Sequence, residues 1–287
     1  MPRASGVRIM SDDICDSPVW DQVGWTAPVI LSRARTSGAV KQLVGYFAPA
    51  AAGVCDRMTG ASFNDLGGGG DRPETADIIT GDDIVAVRSL SVTIPTAHCL
   101  QLLGSGVTRD GLEQTRRWRE GLGHNGALQY AEIPSIWKVP IDACGVNAAL
   151  ERIPKNKALA DIPEQEISSV LTSVDLAWRE IRRKDRTGPD TFGQTTVSKI
   201  LARKRPHLLP IIDSEITGVL NYGNSGKFYR SMWKVMSDEE LALPAHLAAI
   251  RNAAYDCSGD ERIRRLSDLR VFDIVVWMEA TSPTGKA

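Results

Sequence analysis

The stretch from 187 to 216, TGPDTFGQTTVSKILARKRPHLLPIIDSEI, decides how the rest of the chain is read. Gly188-Pro189-Asp190 forces a turn, and Gly193 offers permissive backbone for a second one. Thr195 to Arg203 then reads as a helix with Val197, Ile200 and Leu201 on its buried side, which Pro206 ends. Lys199, Arg203, Lys204 and Arg205 crowd the helix and its exit. Dense positive charge beside a turn with outward-pointing N–H groups is an arrangement that suits phosphate. Leu208, Leu209, Ile211 and Ile212 then bury a return segment around Pro210, which delivers one carboxylate, Asp213, to the start of the next helix.

Charge distribution points the same way. The chain of 287 residues carries a formal net charge of −1, yet Arg179 to Arg205 holds nine basic residues against Glu180, Asp185 and Asp190. A basic stripe on an otherwise acidic body is the footprint of a partner with phosphates. A solvated helix end is the plainer reading of any one such cluster, and two clusters flanking one hairpin weigh against it.

These residues carry a resemblance. A Gly-hydrophobic-Gly turn, a helix, then a proline and an aspartate is the signature of the helix-hairpin-helix DNA glycosylase superfamily, and the stretch resembles it through Thr191-Phe192-Gly193, Pro210 and Asp213. It departs from the pattern where Thr191 replaces the first glycine, where two isoleucines separate Pro210 from Asp213, and where Ser214-Glu215 follow the aspartate. The resemblance implies a mainly α, glycosylase-like helical fold with the motif at about 176–216. It also implies Asp213 as the catalytic carboxylate, and DNA contacts from Gly193, Gln194, Thr195, Thr196, Lys199, Arg203, Lys204 and Arg205. Members that form a covalent sugar adduct carry a lysine two residues after the second glycine; Thr195 stands there, so a monofunctional enzyme is expected. Some members hold an iron–sulfur cluster after the aspartate, but only Cys257 lies beyond Asp213 here. From about Asp56 onward the chain is also similar to a family of uncharacterised bacterial proteins, through ITGDDIVAV and LARKRPHLLPIID.

Composition bounds the rest. A 43% hydrophobic share suits a globular chain able to bury a full core. The sequence has no apolar run of membrane-spanning length and no secretory leader, so a cytoplasmic protein without a membrane is expected. Cys15, Cys55, Cys99, Cys144 and Cys257 are odd in number and widely spaced, which argues for reduced thiols. His98, His124, His207 and His246 make no ligand spacing, and neither a metal nor another cofactor is expected, nor an obligate protein partner.

Along the chain, residues 1–79 read as an extension and loop region and 80–287 as the helical domain. Helices are expected at 38–51, 80–90, 95–103, 108–122, 137–150, from Pro163 to the Arg182-Arg183-Lys184 end, and at 195–203, 213–220, 226–236, 244–256 and 268–280. Arg57 to Phe63 suggests a short hairpin. Gly67 to Gly70 lacks the Lys-Ser/Thr of a phosphate loop and reads as plain loop. Phe63, Asn64 and Asp65 beside it, with Trp137 further on, are candidates to line a pocket for an extruded base. The plainer readings are a turn for the trio and core filling for the tryptophan.

Function is then expected to be excision of a damaged or modified base, flipped from the duplex to leave an abasic site. Defence against modified phage DNA is one use of such an enzyme. The alternatives are a helix-hairpin-helix module that binds DNA without catalysis, with Asp213 only a helix cap, and a nuclease, for which no carboxylate cluster stands near the hairpin.

Overall fold

Apolar residues recur at helical spacing through most of the chain, and a computed structural model describes residues 13–48, 59–94, 99, 102–103, 143–182, 192–223 and 226–282, among which there is no strand. In chain order the α-helices are α1 (Pro18–Gln22), α2 (Thr36–Phe47), α3 (Gly81–Ser89), α4 (Ala143–Glu151), α5 (Glu164–Arg182), α6 (Gln194–Lys204), α7 (Ser214–Val219), α8 (Phe228–Ser237), α9 (Leu243–Ser258), α10 (Glu261–Arg264) and α11 (Asp268–Thr281). Their ends follow local chemistry. Thr80 and Asp83 form a reciprocal capping box at α3, Ser267 accepts the Arg270 N–H at α11, and Gly259 closes α9 in the left-handed region at φ 67°.

The helices expected from periodicity form within about a turn of their expected ends wherever the chain is described. The readings at 108–122 and most of 95–103 fall outside the described residues. Instead of a hairpin, Thr59–Ser62 is a 3-10 turn. The carbonyl of Phe63, just beyond it, accepts from the Arg203 guanidinium rather than from a facing strand.

Two compact units interleave along the chain. One comprises Met1–Pro49, Leu159–Asp161 and Asp213–Ala287, the other Ala50–Ala158 and Ile162–Ile212. The division departs from a cut between 79 and 80 because α2 buries Ala39, Leu43, Tyr46 and Phe47 and packs against α9 and α11, far downstream in sequence.

In the first unit α11 is the central element, with every residue from Leu269 to Val276 buried. It carries two charged residues into that core. Arg270 pairs with Asp273 one turn on and donates to the Tyr46 hydroxyl of α2 at 2.9 Å, so the buried charges neutralise each other. Trp25, Tyr222 and Phe228 form a second apolar cluster, with the Trp25 and Phe228 ring centroids 5.0 Å apart.

His246, on α9 in the same unit, is 7% exposed, and its Nε2 has no hydrogen-bond partner among the described residues. Burial, and then the Arg33 charge, hold its pKa below the usual histidine value, against weaker opposing pulls from Asp13 and the Leu31 backbone. Below about pH 6.5 the unfolded chain therefore takes up a proton that the folded one resists. This contribution to stability is complete above that pH and is lost as pH falls toward the folded-state value. Urea midpoints are expected to drop between pH 7.5 and 5, and His246→Gln is expected to flatten that drop; parallel pH profiles for both proteins would exclude His246 as its source.

In the second unit α4 packs on α5, α5 on α6, and α3 on α6. The apolar stripe of α5, with Ile167, Val170, Val174, Ala177 and Ile181 buried, faces this core, while Lys157 reaches Glu166 in its first turn at 3.1 Å.

Candidate functional site

Helix α6 begins at Gly193, which is extended at φ −65° and ψ 156° and so makes no use of glycine's positive-φ freedom. A Cβ built there would meet nothing within 4 Å. Among the described residues no side chain caps α6. Phe192, two residues before α6, is buried, whereas Gly193 is exposed and Gln194 and Thr195 are half-buried. From Thr196 to Lys204 every residue is buried, so α6 has no solvated polar face beyond its first turn.

That burial includes the cations. Lys199, Arg203, Lys204 and Arg205 are between 0% and 5% exposed. The Asp83 carboxylate, 1% exposed at the third position of α3, accepts from Arg203 Nε at 3.2 Å and is also paired with Lys204 Nζ. Lys204 donates further to the carbonyls of Gly70 at 3.1 Å and Thr75 at 3.0 Å. Burial pulls its ammonium below the usual lysine range, and Asp83 pulls it back. Arg203 donates to the Phe63 and Leu66 carbonyls. Arg205 donates to Asp77 at 2.8 Å and to the carbonyls of Ala76, Leu150 and Ile153 at 2.7, 2.6 and 3.0 Å. Lys199 reaches the Leu90 carbonyl at 3.0 Å.

These four cations are therefore not a phosphate-contacting surface, contrary to the expectation from their density in sequence. The physical cause lies in backbone carbonyls that need donors, most of them in the irregular segment 59–80 and the others at Leu90, Leu150 and Ile153. The end of α6 supplies them as charged side chains, and Asp83 and Asp77 offset part of the charge.

The glycine run is explained by the same packing. Gly67, Gly68 and Gly69 take φ values of 60°, 84° and 104°. Gly70 lies so close to α6 that a Cβ would fall 2.4 Å from the Arg203 carbonyl oxygen. Because the obstacle is helix backbone, Gly70→Ala is expected to lower stability by about 1–3 kcal/mol, read from its denaturation midpoint. Gly81→Ala is the matched control, since a Cβ there meets nothing within 4 Å, and should be neutral or slightly stabilising. A Gly70→Ala midpoint equal to that of the control would refute the close approach.

Beyond α6 the chain reverses. The Leu208 and Leu209 amides both donate to the Arg205 carbonyl, at 3.0 and 2.9 Å, and Leu208 through Ile212 are buried. The Ile212 amide donates to Ser198 Oγ at 3.1 Å. Asp213 follows as the half-buried N-cap of α7, at φ −117° and ψ 148°, and its Oδ1 accepts the Glu215 N–H at 3.0 Å. The expected delivery of this carboxylate from an apolar segment to a helix start is what the backbone does. A carboxylate so anchored can act as a fixed negative charge, or serve only as a cap.

Residues 39–118 and 143–280 match the model of a family of unknown function, DUF6308. The chain belongs to DUF6308. The matched residues take in the glycine run, Asp83, α6 and Asp213. No curated protein and no solved structure matches the chain.

The other candidate residues of this DUF6308 chain fare differently. Phe63 is 1% exposed with the Arg203 guanidinium 6.0 Å from its ring centroid, so it fills the core and does not line a base pocket. Asn64 and Asp65 are half-buried in the turn that leads into the glycines, and Trp137 lies outside the described residues. Among the described residues no group of histidine, cysteine, aspartate or glutamate is placed to hold a metal ion, and no helix is long and apolar enough to cross a membrane. Cys15, Cys99 and Cys257 are free thiols, and burial with the Asp13 and Asp16 charges pushes Cys15 up to about 11, which makes it a poor nucleophile.

Three side chains with structural weight escape a reading of the sequence. Asp83 is legible as a capping acid but not as the counterion of two cations 120 residues downstream and more. Asp77, which holds Arg205 and Lys155, and Ser198 carry no motif.

Proposed function

We propose that the chain is a monofunctional DNA glycosylase that excises a damaged or modified base, flipped out of double-stranded DNA, with Asp213 as the catalytic carboxylate. The observation that carries this reading is the course of the backbone from the α5–α6 pair through the buried return of Leu208 to Ile212 into Asp213, whose carboxylate is fixed at the N-cap of α7. That order is the one the resemblance to helix-hairpin-helix glycosylases implies, and the burial of Phe192 just before α6 supports it.

The chemistry follows from charge. As the bond between the sugar carbon and the base nitrogen breaks, its electron pair leaves with the base and positive charge develops on the sugar. An ionised Asp213 stabilises that charge and orients a water, whose oxygen bonds to the sugar carbon. The water gives up a proton, the base gains one, and an abasic site remains. Thr195 stands where an attacking lysine would be needed, and the Lys199 and Lys204 amines are occupied with carbonyls, which supports a route without a covalent adduct. With the four cations and Thr196 buried, the DNA backbone is assigned to the exposed Gly193 and the amino end of α6 at Gln194 and Thr195.

The capping bond from Glu215 to Asp213 favours a second reading, a hairpin protein that binds DNA without catalysis. Incubating the protein with plain and base-modified duplexes, phage-type modifications included, separates the two. Released base with alkali-labile sites, and no protein–DNA band trapped by borohydride, is expected. Binding without release from any duplex would establish the second reading, and a trapped band would overturn the monofunctional mechanism.

A further inference from the structure

The residue before Asp213 is tied to α6 by a single hydroxyl. Ser198 is 0% exposed, and its Oγ accepts the Ile212 N–H at 3.1 Å. The same oxygen lies 2.9 Å from the Thr195 carbonyl and 3.3 Å from the Ile212 carbonyl, so its proton has an acceptor on either side. Ile212 is therefore held at its N–H by this side chain, whose one proton is shared between the Thr195 and Ile212 carbonyls. Few other amides can anchor this segment, because Pro210 has none and those of Leu208 and Leu209 point back to Arg205. One residue further, Asp213 is fixed from the other direction by the Glu215 N–H at 3.0 Å.

We infer that Ser198 is a positioning residue for Asp213: by gripping Ile212 it sets the direction in which the Asp213 carboxylate is presented to the sugar. The inference rests on the glycosylase reading of Asp213. Its physical basis is leverage, since the carboxylate hangs on the peptide that follows Ile212, and displacement of a reacting group by about 1 Å can cost a hundredfold in rate. A purely structural role would leave the motion of Asp213 and the rate at saturating DNA unchanged.

The test uses the full chain carrying Ser198→Ala, with Ser198→Thr, which keeps the hydroxyl, as the rescue variant. Backbone amide order parameters are measured in the free protein, and single-turnover excision and DNA affinity on whichever duplex the parent protein processes. In Ser198→Ala the order parameters at Ile212, Asp213 and Glu215 are expected to fall from the rigid range, about 0.85, toward 0.6, with Ser198→Thr close to the parent. The excision rate is expected to drop about tenfold or more at unchanged affinity. Unchanged order parameters at Asp213 and Glu215 would overturn the inference whatever the activity. If those values fall while the parent protein excises no base from any duplex, the grip on Asp213 stands and the glycosylase reading is what fails.

Discussion

Asp213→Asn is expected to fold and bind DNA as the parent chain does while its base excision falls about a hundredfold. Asparagine caps a helix about as well as aspartate, so the bond from the Glu215 N–H survives in kind and α7 keeps its start. What disappears is the negative charge. A well-placed electrostatic contact to a cationic transition state is worth roughly 3 kcal/mol, which converts to about two orders of magnitude in rate. Asp213→Ala separates the two roles of the residue, because it loses the cap as well and is expected to cost about 1 kcal/mol of stability in addition. The measurement is single-turnover release of base with the circular dichroism spectrum and DNA affinity as controls. A folded Asp213→Asn protein that releases base at the parent rate would leave capping as the only task of this residue.

The second large effect concerns stability. Asp83→Ala is expected to cost about 3–5 kcal/mol, because it strands Arg203 and Lys204 in a core where both are at most 2% exposed. Their carbonyl partners remain, but carbonyls supply no compensating charge. The capping box at Thr80 is lost as well, since the Asp83 carboxylate accepts the Thr80 N–H at 2.9 Å. Removing charge on both sides, as Asp83→Leu with Lys204→Met, should recover only part of that loss, because Arg203 still lacks its counterion and the Gly70 and Thr75 carbonyls lose their donor. Chemical denaturation followed by far-UV circular dichroism reads both variants. A loss below about 1 kcal/mol for Asp83→Ala would mean that the cations find compensation elsewhere and that Asp83 is not their anchor.

Both expectations draw on the same thirteen residues, Leu201 to Asp213, and these show how far the sequence carries. The helix α6, its termination near Pro206, the buried return around Pro210 and the arrival of Asp213 at a helix start are all legible, because they depend on local periodicity, proline geometry and capping. The same holds for α5, α9 and α11, whose apolar stripes or cap residues announce them.

The fate of the Arg203-Lys204-Arg205 run was not legible. Buried lysine and arginine are uncommon, so a run of them reads as surface, and surface charge beside a hairpin reads as a nucleic-acid contact. Burial is affordable here only because partners arrive from 52 to 140 residues upstream. Most of those partners are backbone carbonyls, which every residue type possesses and which leave no mark in a sequence. The amino-acid sequence by itself determined the helices, their caps, the buried return after α6 and the arrival of Asp213, since each follows from interactions within a few residues. Only the tertiary structure decided that the basic run belongs to the core, that Gly70 must lack a side chain and that one serine holds Ile212, since each of these rests on contacts between segments far apart in the chain.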